Sequence, residues 1–465
     1  MPSFGVSFPR RRAVARRLRS WRLAPLLWAL GTAPAWALNL AQAVQEAMAS
    51  DPVFAAARAR YQADLEQLPQ ARASLLPWVS ALATGNYADT RTRFTNEMPR
   101  RRVHADNYGY QLTLSQPLFD WASWQHYEAA KLGVTIAELH LQQSFQDLLL
   151  RVAQTYFDVL VAEETLVASE AERTSIAEQL KSAERNFELG TATITDTYEA
   201  QARYDLVEAE LLQAQNTLEV RRNELAKLIG RPPDTLAALP TGAAIPAPQP
   251  ARLDAWVERA ETANLTVVQS QLATAISERG IEIARSGHYP QLSLVANFGQ
   301  SNNRYTPEGT QAANYGSGRA HGTSGSIGVQ LNIPIYQGGL VSSRVRQAVA
   351  EQDAARQDYE TARREAIQAT RTAFLNVNSG LAQVRALEAG VGSSRKALEA
   401  NQTGYEVGVR INLDVLAAQQ QLFATQRDLA QARYGTLMSG LQLKGATGQL
   451  TEEDLQAINQ LLRER

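Results

Sequence analysis

The second half of this 465-residue chain rewrites its first. Phe187–Gly230 aligns without a gap onto Tyr405–Gly448. Glu188, Gly190, Asp196, Ala200, Gln201, Leu211, Gln213, Ala214, Leu225 and Gly230 recur as Glu406, Gly408, Asp414, Ala418, Gln419, Leu429, Gln431, Ala432, Leu443 and Gly448. The order of patterns repeats too. Asp51 and Asn264 each lie a helix's length ahead of a proline, Pro77 or Pro290, that opens a β-like run, and a second such run ends at Pro117 or Pro334. Each half then reads helix, strand, strand, long helix, break, helix, which constrains the chain to a duplicated unit rather than two unrelated domains. The expected organisation is a first repeat at 38–230, a second at 252–448 and a C-terminal helical segment at 449–465. Between the repeats, Arg231–Ala251 holds Pro232, Pro233, Pro240, Pro246, Pro248 and Pro250 and reads as an extended linker.

Between Trp121 and Glu188 only Gly133 interrupts a helical pattern. Val134, Ala137, Leu141, Phe145, Leu148, Val152, Tyr156 and Val159 step by three and four, a narrow apolar seam on a helix on the order of 100 Å long. Val341–Thr403 repeats the spacing with Val345, Ala348, Gln352, Ala355, Tyr359 and Ala362. So narrow a stripe makes no globular core; it suits a coiled coil or a tube of helices wetted on both sides.

Four short segments alternate with period two. Tyr108, Tyr110, Leu112 and Leu114 face one way in Tyr108–Ser115, and Ile327, Val329, Leu331 and Ile333 do so in Ser326–Ile333. Val79–Tyr87 and Leu292–Gly299 alternate less cleanly, the latter with Leu292, Leu294, Ala296 and Phe298 on one face. A sheet packed on a soluble core has the same periodicity. Two features favour a transmembrane β-barrel instead. Aromatics crowd the strand ends at Trp78, Phe119, Trp121, Trp124, Tyr289 and Tyr336, and long polar loops are expected at Ala88–Asn107 and Gln300–Thr323. Four strands cannot close a barrel, so several chains must share one.

The first 37 residues read as a signal peptide: seven arginines up to Arg22, an apolar stretch at Leu23–Leu30, and a small-x-small site at Ala35-Trp36-Ala37. Its loss takes 46 basic side chains down to 39 against 47 acidic ones, a mature net charge of −8 that argues against a nucleic-acid or anionic-lipid partner. The chain has no cysteine, so thiol chemistry, disulfides and an acylated N-terminal cysteine are all excluded. Past residue 37 no stretch approaches the roughly 20 apolar residues of a membrane-spanning helix.

No enzyme is legible. The five histidines lack ligand spacing, and phosphate-binding loops and nucleophile elbows are absent, so no cofactor or metal is expected. The repeated break is the functional candidate. Gly190 and Gly408 each end one helix and Asp196 and Asp414 begin the next, giving two hairpins that point away from the strands. An aspartate there is most simply a helix cap; in a symmetric oligomer, one per subunit also makes an acidic ring.

At these residues, YEVGVRINLDVLAAQQQLFATQRDLAQARY from Tyr405, LKGATGQLTEEDL from Leu443 and FELGTATITD from Phe187, the chain resembles the TolC family of outer-membrane channels. The resemblance implies a homotrimer giving four strands per subunit to one outer-membrane barrel, continued through the periplasm by a long α-helical tunnel. It also implies docking of a periplasmic adaptor and an inner-membrane pump, ABC-type or other, at the tunnel's far end. Thr195, Asp196, Tyr405 and Arg410 are then expected to latch the entrance and Asp414 to form a constricting acidic ring. Where the best-known members carry a second acid three residues on, this chain has Ala417, so weaker cation selection is expected. Type I protein secretion, such as toxin export, is the leading functional expectation and multidrug efflux the second. A periplasmic coiled-coil adaptor is the alternative from another class.

Overall fold

The computed structural model describes residues 37–93, 101–240, 242–308 and 317–463; the expected signal peptide lies outside the described residues. Three helices, α1 (Leu40–Ser50), α2 (Pro52–Leu65) and α3 (Gln67–Ala73), precede strands β1 (Trp78–Thr92) and β2 (Arg101–Phe119). The long helix α4 (Trp121–Glu188) and its return α5 (Ile194–Ile229) close the first repeat. The second repeat runs α6 (Leu253–Ala263), α7 (Leu265–Arg285), β3 (Gln291–Glu308), β4 (Gly318–Asn332), α8 (Leu340–Glu406) and α9 (Asn412–Ala446), and α10 (Glu452–Asn459) follows.

The duplication reaches individual hydrogen bonds. Gly230 and Gly448 end α5 and α9 with φ of 80° and 70°, a left-handed stop that glycine adopts without a Cβ clash. Each lies against the corner between the first two helices of its own repeat. Ser50 Oγ donates to the Leu228 carbonyl at 2.6 Å, and Asn264 Nδ2 donates to the equivalent Ala446 carbonyl at 2.8 Å. Asp51 caps α2 through the Phe54 amide and pairs with Arg151 on α4 at 2.6 Å.

The strands form one antiparallel sheet in the order β1-β2-β3-β4. Residues opposite each other in register share a face. Val79–Leu114, Ala81–Leu112, Leu112–Phe298, Leu294–Val329 and Leu292–Leu331 therefore lie on one apolar face. Ser80, Thr113 and Asn297 lie on the other, where Asn297 accepts from Gln111 and Thr113 at 3.2 and 2.9 Å. No helix covers the apolar face: Val79, Ile327, Val329 and Leu331 are each more than half exposed. The expected loops need correcting. Ala88–Asn107 and Gln300–Thr323 are mostly strand, because backbone pairing continues after the side chains turn polar, and only 93–100 and 309–317 connect the pairs. Trp78, Phe119, Tyr289 and Tyr336 stand exposed at the helix-side end of the sheet. Among the described residues no helix is long and apolar enough to cross a membrane.

The main core is a collar around the middle of the helices. Leu148, Leu149, Val152, Tyr156, Phe157 and Leu160 of α4 meet α1, the end of α9 and α10 there. The segment that joins the repeats belongs to it. Among the described residues Arg231–Ala251 contains no helix, yet Leu236–Leu239 are buried, with Leu236 bridged to Leu38 and Ala238 to Arg463. Its backbone polar groups would be orphaned in that core without partners. The buried Tyr156 hydroxyl lies 2.9 Å from the Leu38 carbonyl and 2.8 Å from that of Ala237, and Tyr434 accepts from the Leu239 amide. Burial pushes the Tyr156 phenol far above its usual range, so it remains a donor.

Burial pushes the Asp51 carboxyl up, but the Arg151 guanidinium and the Phe54 amide outweigh it and hold its pKa below the usual carboxylate value. A depressed folded pKa stabilises above the unfolded value of about 4, and that stabilisation is lost as pH falls through the lower folded value. The thermal midpoint of the purified protein should therefore fall on acidification below about pH 4. Asp51→Asn, which keeps a cap but not the charge, should lower the neutral-pH midpoint and flatten that dependence, as followed by circular dichroism.

Candidate functional site

The two hairpin tips are built alike, from the backbone up. At the first, the Thr191 and Ala192 amides donate to the Asn186 carbonyl at 2.8 and 3.2 Å; at the second, Val409 and Arg410 donate to the equivalent Gly404 carbonyl at 2.9 and 3.1 Å. Both closures need a left-handed residue, and Gly190 and Gly408 supply it with φ of 73° and 78°. The helices that follow start differently. Thr193 caps α5 in a capping box with Asp196, whose carboxylate accepts from the Thr193 amide at 2.9 Å and hydroxyl at 2.8 Å. Ile411 caps α9 without a side-chain bond, leaving the Asp414 carboxylate free to pair elsewhere. Both aspartates are thus third residues of their helices, not the first.

Asp196, Tyr405 and Arg410 line one cleft between the tips, of about 980 Å³. Within one subunit they do not bond to each other. Arg410 pairs with Asp414 one turn on, at 3.6 Å and half-exposed, a contact worth roughly 0.3–0.5 kcal/mol. Its aliphatic stem lies over Gly404, where a Cβ would come within 2.7 Å of the Arg410 Cγ. Asn186 donates to the Tyr405 hydroxyl at 3.4 Å, and Thr195 lies exposed on the first turn of α5. Ala417 is exposed one turn beyond Asp414.

The ties between the hairpins come from residues that sequence reasoning missed. Asn412, fully buried, donates to the Asp196 carbonyl at 3.1 Å and accepts from Gln179 at 2.6 Å. Further up, Gln419 donates to Ser175 at 2.9 Å. Deeper still, the fully buried Glu172 of α4 binds Arg203 of α5 and Arg427 of α9, each at 2.8 Å, joining three helices and both repeats. A signal for it existed. Ala168, Glu172 and Ile176 lie four apart on the buried stripe of α4, so a carboxylate there had to meet a cation.

A sheet apolar on one face and polar on the other, joined to a shaft of helices on the order of 100 Å long, is the architecture of an outer-membrane channel. The family model described as outer membrane efflux protein matches residues 43–231 and 256–449, and the chain belongs to that family. It is 32% identical to the outer membrane protein TolC of Vibrio cholerae over 93% of this chain and 96% of the relative. It is 30% identical to the alkaline protease secretion protein AprF of Pseudomonas aeruginosa, over 95% and 91%. The solved outer membrane channel CmeC of Campylobacter jejuni matches with a TM-score of 0.74 at 19% identity, over 91% of this chain and 89% of that one. The fold is a transmembrane β-barrel shared between three subunits and continued by an α-helical barrel, set in the outer membrane and reaching into the periplasm. Family and fold are those of a channel, not an enzyme, and the coiled-coil adaptor alternative falls with them.

Removing Glu172 strands two largely buried arginines. Glu172→Ala should cost about 3–5 kcal/mol in guanidinium unfolding of the detergent-solubilised protein. Truncating the exposed Glu170 in the same region should cost less than about 0.5 kcal/mol.

Proposed function

We propose that this channel is the outer-membrane duct of a type I protein secretion machine, fed by an inner-membrane pump through a periplasmic adaptor. The observation that carries the reading is the near-full-length similarity to a protease secretion protein. The cysteine-free chain, which offers no thiol for acylation at a mature N-terminus, agrees with it. Export of small molecules through the same duct is the second reading, favoured by the efflux description of the family model. A wide aqueous tunnel discriminates little, so the pump selects the cargo.

The tips are where such a machine engages. Leu189, Val407 and Val409 stand at least two-thirds exposed beside Gly190 and Gly408, apolar side chains held in water at the end of the shaft. They are the proposed seat of the adaptor, because desolvating them is favourable at roughly 25 cal/mol per Å². The proposed latch combines the Asn412 and Asn186 ties between hairpins with Thr195, Asp196, Tyr405 and Arg410 around the cleft. Each contact is worth about 0.5–1.5 kcal/mol, weak enough singly for docking to reverse and sufficient together to keep three subunits closed. Asp414 is the proposed acidic ring, partly neutralised by its Arg410 neighbour.

Planar-bilayer recordings test the gate. Combined Arg410→Ala and Tyr405→Phe should raise closed-state conductance several-fold, and Asp414→Ala should reduce cation selectivity; unchanged conductance in the first rules out the latch. For the cargo, deleting the gene should abolish secretion of a protein substrate encoded with the pump. Loss of drug resistance with intact protein secretion would instead establish the efflux reading.

A further inference from the structure

Beyond the apolar band, the lipid-facing side of the sheet becomes charged, with four arginines set among Asp89, Asp106 and Glu308. Counting along register, Arg91 faces Arg102, and Arg304 faces Arg319. Each of the four lies twelve residues outward from an apolar residue of the same face, Val79, Leu114, Leu292 and Leu331 respectively. At about 3.3 Å per residue and a tilt near 40°, twelve residues climb on the order of 30 Å, against an apolar band about 25 Å tall. All four guanidinium groups therefore stand at the level of the outer headgroups.

The two pairs differ in their counter-charge. Asp89 binds Arg102 through both carboxylate oxygens, at 3.0 and 2.9 Å, and reaches Arg91 at 3.4 Å, so the first pair is largely neutralised within the protein. Arg304 and Arg319 are exposed and, among the described residues, form no ion pair, although Asp106 stands opposite Arg304 in register. Like charges directly across a strand pair are destabilising, and two forked guanidinium groups side by side match the oxygens of a phosphate. We propose that Arg304 and Arg319 form a binding site for the phosphate of a phosphorylated lipid headgroup in the outer leaflet, one site per subunit on the outside of the barrel. Leu294, Phe298 and Val329 lie lower on the same face, beyond the polar pairs Asn302–His321 and Gln300–Thr323, and they select a lipid over a free anion because the acyl chains of the same molecule reach them.

Native mass spectrometry of the full-length channel in neutral detergent tests this, with a diphosphorylated glucosamine glycolipid, the same lipid enzymatically dephosphorylated, and inorganic phosphate as competitor. The wild-type protein should bind the phosphorylated lipid about tenfold or more tightly than the dephosphorylated one, and R304Q/R319Q should abolish most of that preference. Equal affinity of the wild-type channel for both lipids overturns the proposal, as does an unchanged preference in the double variant. Complete displacement by inorganic phosphate would overturn the choice of a lipid.

Discussion

The structure depends on the two unpaired edges of a four-stranded sheet. β1 and β4 each present one row of backbone amides and carbonyls without a partner strand among the described residues, and in lipid every such group must be satisfied. Closure against neighbouring copies is the only way to meet that demand, so the oligomer follows from the sheet and not from any particular side chain. The open lower shaft follows in turn: helices continuing from a closed ring of strands are themselves arranged in a ring, and their narrow apolar seams are sufficient for lateral packing but not for filling a centre.

Stability is graded along that shaft. At the collar, α1, the inter-repeat segment and α10 wrap the long helices in one large apolar cluster, with the Tyr156 hydroxyl set between the Leu38 and Ala237 carbonyls. Further down, the clusters shrink to a few residues around Ile176 and Leu398, and buried polar links take over at Glu172, Gln419 and Asn412. The tips keep only half-exposed contacts. Regions with few apolar contacts open at the lowest free energy, so the tips are the part of the molecule suited to move.

Much of this was legible. The α4 limits and the glycines at both tips could be read from helical spacing and from a repeat that preserves the left-handed pairs Gly190–Gly408 and Gly230–Gly448. The strand faces were legible wherever side chains alternate in polarity, and illegible beyond, at Arg91 or Arg319, where both faces are polar and only backbone pairing defines the strand. Between the repeats, proline content reported the absence of helix but could not report the burial of Leu236–Leu239. At the site, the partners of Asp196 and Arg410 within the subunit, Thr193 and Asp414, are their own helical neighbours.

By itself the sequence determined the duplication, the period of each element and the positions where the chain must turn, because these rest on local sterics and on side-chain polarity along one segment. Only the tertiary structure decided which polar residues would be buried together. Glu172, Arg203 and Arg427 come from three helices, and Arg304 and Arg319 from two strands, so what each pair or cluster means depends on distances that no single segment encodes.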